Sequence, residues 1–242
     1  MLPPATDLAW QFLQDQPALG GFVLLGGSAL SLRLAHRQSE DLDFGWPGTQ
    51  LPRLRLDQLL RAAQGAGVRF ERHDDEAALQ DFAAGGMELL DYQQNFLVNG
   101  AVKVSFFTLE VPFIRQLDPE PAPAPRPRVA TLSELFRCKC LVSARRSKTR
   151  DWVDLYLLLT RHGFTIQDYQ AAFARAGSEP ECDLGLARLS SGVPQRDDEG
   201  YLHLLANPPS LEEMRAFFSE QRRQLEASAA AAAFRPAGRP KN

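Results

Sequence analysis

Proline occupies every second position from Pro119 to Pro127 within LDPEPAPAPRPR, residues 117–128. A locked φ and a missing N–H at alternate residues exclude a helix interior and a central strand, and leave an extended, semi-rigid connector. The chain therefore reads as a lobe over 1–117, a proline-rich linker over 118–128 and a second lobe over 129–232. A tail over 233–242 ends in proline, glycine and basic residues that bury little surface, and is expected to be mobile. At 242 residues and 44% hydrophobic, the chain has material for a sizeable core.

The two lobes differ in periodicity. Before the prolines, DLAWQFLQDQ reads as a helix, GGFVLLGG as a short buried strand, SALSLRLAH as a helix and EDLDFGW as an alternating strand. LPRLRLDQLLRAAQGAG continues as a helix stopped by glycine, and VRFERH, MELLDYQQNFLVNG and AVKVSFFTL read as strands. Beyond the prolines, four segments carry helical spacing, with caps expected at Thr131, Ser147 or Thr149, Thr165 and Ser210. The expected class is α+β, a mixed-sheet N-terminal lobe followed by a helical C-terminal lobe.

A formal net charge of −3 means that any contact with nucleic acid must rest on a local patch. One is present. Arg137, Lys139, Arg145, Arg146, Lys148 and Arg150 fall within fourteen residues that hold no acid. Three cysteines, Cys138, Cys140 and Cys182, fit neither a disulfide framework nor a zinc spacing, and are read as packing residues in a reducing compartment. The N-terminus MLPPATDLAWQFLQDQ does not resemble a signal peptide, and no run approaches the ~18 apolar residues of a membrane span. The expectation is a cytoplasmic protein without membrane contact.

Chemistry concentrates in LLGGSALSLRLAHRQSEDLDF, residues 24–44. A strand that runs into Gly26-Gly27-Ser28 and then a helix offers backbone N–H groups and the positive end of a helix dipole to a phosphate. The same tripeptide also serves as an ordinary turn with an N-cap. Asp41 and Asp43 project to one face of a strand while Leu42 turns to the core. Two adjacent carboxylates repel unless a cation sits between them, and Mg²⁺ commonly joins one or two carboxylates to substrate phosphates. The plainer alternative is a solvated strand end.

Gly27-Ser28, twelve residues, then Asp41-Leu42-Asp43 resembles the G-S-x(n)-D-x-D signature of the nucleotidyltransferase superfamily. Gly26-Gly27-Ser28-Ala29-Leu30 followed by Arg37-x-Ser39-x-Asp41-x-Asp43 is similar to the AbiEii/AbiGii branch of bacterial toxins. That branch also carries a downstream K…R-D-x-x-D element, matched here by Lys139 and by Arg150-Asp151-Trp152-Val153-Asp154. The resemblance implies a nucleotidyltransferase-like first lobe and transfer of an NMP from an NTP to an acceptor hydroxyl. The implied acceptor is RNA, at the tRNA 3′ end, and the implied role is a toxin with a partner antitoxin. Asp41 and Asp43 would hold Mg²⁺ or Mn²⁺, Gly26, Gly27 and Ser28 the NTP phosphates, and Lys139 would neutralise them. Arg145, Arg146, Lys148 and Arg150 are the RNA-binding candidates. Asp154 is the implied active-site acid, with Asp151 pairing to Arg150 or a neighbouring base.

One departure stands out. The strand AVKVSFF carries Ser105 where many nucleotidyltransferases have a third carboxylate, and serine is a poor Mg²⁺ ligand and no base at neutral pH. Asp154, Glu88 or Asp91 would have to substitute, with His36 and His73 as weaker candidates. Two other functions stay open: a catalytically weak nucleotide- or RNA-binding relative, and a nucleotidyltransferase acting on a small hydroxylated molecule.

Overall fold

A computed structural model describes residues 2–120 and 124–233. The expected tail beyond Ala233 and the centre of the proline run lie outside the described residues. The chain divides into two compact units, residues 1–135 and 136–242.

The first unit carries α1 (Pro4–Leu13), β1 (Val23–Leu25), α2 (Gly26–Leu34), β2 (Leu42–Trp46), α3 (Arg53–Gly65) and β3 (Phe70–Arg72). It continues with α4 (Glu76–Ala84), β4 (Gln93–Val98), β5 (Val102–Thr108), the single turn α5 (Val111–Ile114) and β6 (Arg128–Val129). The strands form one mixed sheet in the order β3-β4-β5-β2-β1-β6. Strands β2 and β5 run parallel, as do β1 and β6, and the other neighbours are antiparallel.

Alternation builds the sheet's core face. Along β5, Val102, Val104 and Phe106 are buried while Lys103 is exposed. The Phe106 ring is 5.4 Å from Phe44, 5.7 Å from Phe22 and 6.1 Å from Phe96, and Phe44 meets Trp10 of α1 at 6.3 Å. Each buried aromatic contributes about 1.5–3 kcal/mol through removal from water. The β4–β5 hairpin closes through Asn99 and Gly100, both at positive φ, which fixes the register.

Several local elements differ from the expectation, among them a helix over Pro180–Ser191 that was not expected and a strand in EDLDFGW that begins only at Leu42. MELLDYQQNFLVNG is a strand only from Gln93, because Leu89–Asp91 form a 3₁₀ turn before it. Helix α4 buries none of its residues, so it leaves no apolar periodicity to read, and Asp75 caps it by accepting from the Ala77 and Ala78 amides. Strand β6 follows the last proline at once, where N–H groups become available again. Arg128 and Ala130 donate to the Phe22 and Leu24 carbonyls, so β1 gains a parallel neighbour.

Helix α6 (Leu132–Arg145) spans the division between the units, and α7 (Thr149–Arg161), α8 (Ile166–Ala176), α9 (Pro180–Ser191) and α10 (Leu211–Ala233) follow. Trp152, Val153, Leu155, Leu157 and Leu158 are buried around most of the α7 circumference, and the Ser143 hydroxyl meets the Tyr169 hydroxyl at 2.7 Å in the interior. The expected caps form at Thr131, Thr165 and Ser210, each hydroxyl accepting an amide three residues on. Helix α7 is different. Its N-cap is Lys148, and Asp198 supplies the capping carboxylate, accepting from the Thr149 amide at 2.9 Å. The cysteines are free and buried, and burial pushes the Cys140 thiol well up and the Cys182 thiol to about 11. Among the described residues, no helix is long and apolar enough to cross a membrane.

Candidate active site

In the first unit the site is built by one antiparallel pair. Strand β1 delivers the chain to Gly26, and β2 returns beside it with Leu25 opposite Asp43. Leu25 is extended, at φ −120°, and Gly26 enters α2 at φ +70°, a conformation that favours glycine. A Cβ on Gly26 would lie 2.7 Å from the Asp43 Oδ2 atom, so the bare α-carbon lets the carboxylate approach the head of α2. Leu42 is 0% exposed, while Asp41 and Asp43 on either side are half-buried, as the alternation requires.

Ser28 is 1% exposed, and its hydroxyl donates to the Asp41 carbonyl. This bond fastens the first turn of α2 to the residue that precedes β2. The α2 N-terminus itself leaves its first amides without intrahelical acceptors, which suits an anion. Arg37 is also at the turn, with 4% exposure, and its Nη1 donates to the Gln38 carbonyl at 2.8 Å. A Cβ on Gly27 would stand 2.5 Å from Arg37 Nη2 and 2.6 Å from Ser39 Oγ. Sequence reasoning gave neither residue a role, although both belong to the R-x-S-x-D-x-D pattern.

The register settles where Ser105 lies. It pairs with Asp43 on one side and Asn95 on the other, so the three residues form a row across β2, β5 and β4. Glu88 and Asp91 are not in that row. They accept from Arg53 at 2.5 and 3.1 Å, and Tyr92 next to them accepts from the Thr108 amide, three residues and about 10 Å along β5 from Ser105. They do not replace a carboxylate beside Asp43. His73 belongs to the exit of β3, where its amide donates to Asn95.

In the second unit, α6 and α7 bring Lys139, Asp151 and Asp154 together. The Lys139 Nζ lies 2.6 Å from Asp151 Oδ1 and 2.7 Å from Asp154 Oδ2. Both carboxylates are 0% exposed, and the Lys139 side chain is 8% exposed. Arg146 closes on Asp151 through Nε at 2.7 Å and Nη2 at 3.3 Å. Burial pushes the Asp151 carboxyl up, but the Lys139 charge and the Arg146 bond outweigh it and hold it below the usual carboxylate range. Asp151 thus pairs with Arg146, not Arg150, and the four groups sum to zero charge.

The basic segment is more neutralised than its composition implies. Lys148 meets Glu199 at 2.9 Å and Arg150 meets the same carboxylate at 2.6 Å, while Arg145 and Arg146 are exposed. The run Asp197-Asp198-Glu199 was the available clue, but no local periodicity places it against residues nearly fifty positions away.

The oxygen-only donor pair of Asp41 and Asp43 fits a hard divalent cation that takes the rest of its shell from water and phosphate. Among the described residues, no group of three or more His, Cys, Asp and Glu forms a closed metal site.

Residues 10–240 match the family described as nucleotidyl transferase AbiEii toxin, type IV TA system. An uncharacterized protein of Aquifex aeolicus is 26% identical over 149 residues, which are 62% of this chain. The chain spans 63% of that curated relative's length. The crystal structure of JHP933 from Helicobacter pylori superposes at a TM-score of 0.50 with 17% identity, over 96% of this chain and 98% of that one, a likeness of fold.

Proposed function

The chain belongs to the AbiEii nucleotidyl transferase toxin family, and we propose that it transfers a nucleoside monophosphate from an NTP to an acceptor hydroxyl. The acceptor oxygen bonds to the α-phosphorus, the bond to the β-phosphate oxygen breaks, pyrophosphate leaves, and the hydroxyl proton passes to solvent. The observation that carries this reading is the Asp43 carboxylate beside Gly26 at the head of α2, which puts the proposed metal ligand next to the proposed phosphate turn.

Each residue has a distinct task. Gly26 and Gly27 leave the α2 amides open to the β- and γ-phosphates, and Ser28 ties that turn to Asp41. Arg37 adds a fixed positive charge at the turn. Asp41 and Asp43 would hold Mg²⁺ or Mn²⁺, which supplies charge neutralisation on the phosphates. Because Leu25 and Ser105 are the strand neighbours of Asp43, no second carboxylate stands beside it in the row, and catalysis leans on positioning and charge rather than on a dedicated base. Lys139 and Asp154 enter the proposal on their motif and their buried pairing.

RNA, at the tRNA 3′ end, is the acceptor we propose, on the strength of the Arg137–Arg150 basic segment and of the family. An antitoxin protein is the partner that a type IV toxin family implies. The second reading, a weak relative that binds without turnover, rests on Ser105. Incubation of the protein with each labelled NTP, Mg²⁺ and total tRNA decides between them. Labelled RNA that disappears in Asp41→Asn and Asp43→Asn supports transfer to RNA. Nucleotide retained but never consumed supports the binding reading, and turnover only with a small hydroxylated acceptor moves the substrate class. Full activity in both Asn variants would end the metal assignment.

A further inference from the structure

The loop that caps α7 also sets a carboxylate between two cations at the start of that helix. Lys148 and Arg150 lie on either side of Thr149 at the start of the helix, and both grip the Glu199 carboxylate. Lys148 Nζ is 2.9 Å from Oε1 and 3.2 Å from Oε2, and Arg150 Nη2 is 2.6 Å from Oε2. Asp198, one residue earlier, accepts from the Thr149 amide at 2.9 Å and from its hydroxyl at 2.6 Å. At the loop's other end, Gln195 accepts from the Ser147 amide at 3.0 Å and donates its own amide to the Ser147 carbonyl at 2.9 Å. One end of the loop is therefore bound to backbone at fixed geometry, while the Glu199 carboxylate is held by the Lys148 and Arg150 side chains and by its own backbone amide.

The two cations differ from their acid in exposure. The side chains of Lys148 and Arg150 are 16% and 29% exposed, and that of Glu199 is 55% exposed. Burial opposes its charge, yet the Lys148 and Arg150 bonds hold the Glu199 carboxyl near 2, so it stays ionised at any physiological pH. An ammonium and a guanidinium converging on two oxygens at a helix N-terminus also fit the non-bridging oxygens of a phosphate.

We propose that Lys148 and Arg150 form a phosphate-recognition fork which the chain keeps filled with its own Glu199, so that a polyanion must displace that carboxylate to dock. The fork's ligand is a phosphodiester, and its identification with acceptor RNA rests on the function proposed above. Displacement needs only side-chain release of Glu199, because the Gln195–Ser147 and Asp198–Thr149 bonds keep the rest of the loop in place. The capped helix and the occupied fork are thus separable. Glu199 weakens binding of any phosphate chain and sets a threshold that an isolated nucleotide phosphate does not pass as readily as a chain of phosphates does.

The test compares wild type, Glu199→Gln, Glu199→Ala and Lys148→Glu/Arg150→Glu for binding of a fluorescein-labelled 30-nucleotide RNA and of labelled polyphosphate, by anisotropy across a salt series. The isosteric Gln variant is expected to bind both probes about three- to tenfold more tightly, the range set by the loss of half-exposed ion pairs. It should also steepen log Kd against log salt by about 0.7 for each phosphate newly engaged. The charge-reversed fork is expected to lose that gain. Unchanged affinity and slope in both Glu199 variants would overturn the proposal, even if wild type transfers nucleotide to RNA. A Glu199→Gln variant that tightens on polyphosphate while no variant binds RNA would support the fork and overturn only the RNA reading.

Discussion

Removing the Lys139 charge should destabilise the second unit before it informs on catalysis. Lys139→Met keeps the length of the side chain and deletes an ammonium lying 2.6 Å from Asp151 and 2.7 Å from Asp154, both 0% exposed. Asp151 keeps Arg146, whereas Asp154 loses a cation at contact distance. Breaking a buried pair from one side costs about 3–5 kcal/mol, and the Arg146 bond places the expectation near the lower end. For a unit of about 100 residues this corresponds to a fall of roughly 10–20 °C in its thermal midpoint. The pH dependence gives a sharper readout. In the wild type the Asp151 carboxyl is held low, so its contribution is present above about pH 4 and is lost only as pH falls through that lowered value. In the variant, a buried carboxylate short of positive charge has a raised pKa. Its penalty is complete above that value and shrinks as pH falls toward about 4. The midpoint gap between variant and wild type, followed by circular dichroism, should therefore narrow from pH 7.5 to pH 5.5, and Lys139→Met/Asp154→Leu should recover most of the loss. A variant melting within about 3 °C of wild type at both pH values would refute the buried-pair reasoning. Loss of transfer by a Lys139 variant means something only when measured well below its own midpoint.

Two further substitutions test the first unit. Gly26→Ala sets a Cβ 2.7 Å from Asp43 Oδ2 at φ +70°, and Gly67→Ala meets nothing within 4 Å at φ +72°. Both should lose the ~1–3 kcal/mol of a strained backbone, but only Gly26→Ala should also weaken NTP binding by titration calorimetry, and equal NTP affinity in the two would remove the turn from the site. Glu134 accepts from Arg128 Nη1 and Nη2 at 2.7 and 2.9 Å and from the Asp118 and Thr131 amides, each at 2.7 Å. Burial raises its carboxyl, and those four bonds with the Arg128 charge more than reverse the effect. Glu134→Gln should cost about 2–4 kcal/mol at pH 7, and the two melting curves should converge below about pH 4 as the wild-type group protonates; parallel curves down to pH 3 would count against it.

The strand that carries Asp43, with Asp41 just before it, was legible because alternation is a property of neighbouring residues: Leu42 and Phe44 are buried, and the two acids are less so. The four helical segments expected beyond the prolines were readable for the same reason, as was the cap at Thr165, whereas α9 was not among them. What escaped was set by tertiary partners. Helix α4 has no buried residue to betray it, β6 is two residues whose only justification is the edge of β1, and the α7 cap comes from Asp198, far along the chain. The site divides similarly. The family resemblance marked Lys139 and both later aspartates, but which base clasps Asp151 depended on how α6 and α7 turn toward each other. The pairing of Lys148 and Arg150 with Glu199 lay beyond any local pattern.

Strand β6 also sets a schedule for the chain as it is synthesised. The β4–β5 hairpin closes over a few residues and can form within microseconds of leaving the ribosome. The β2–β5 pairing must wait for residues about sixty positions downstream, and β1 cannot gain its outer neighbour until Val129 has emerged, more than one hundred residues after it. Until then β1 is a bare edge beside the Asp43 strand, with amides open to a wrong partner. At translation speeds of about 5–20 residues per second, that interval lasts several seconds. The proline run sits directly before the closing strand. Without amide donors at alternate positions it pairs poorly as an intruding strand, so the polypeptide reaches its last sheet partner through a stretch that is itself a weak competitor for the open edge.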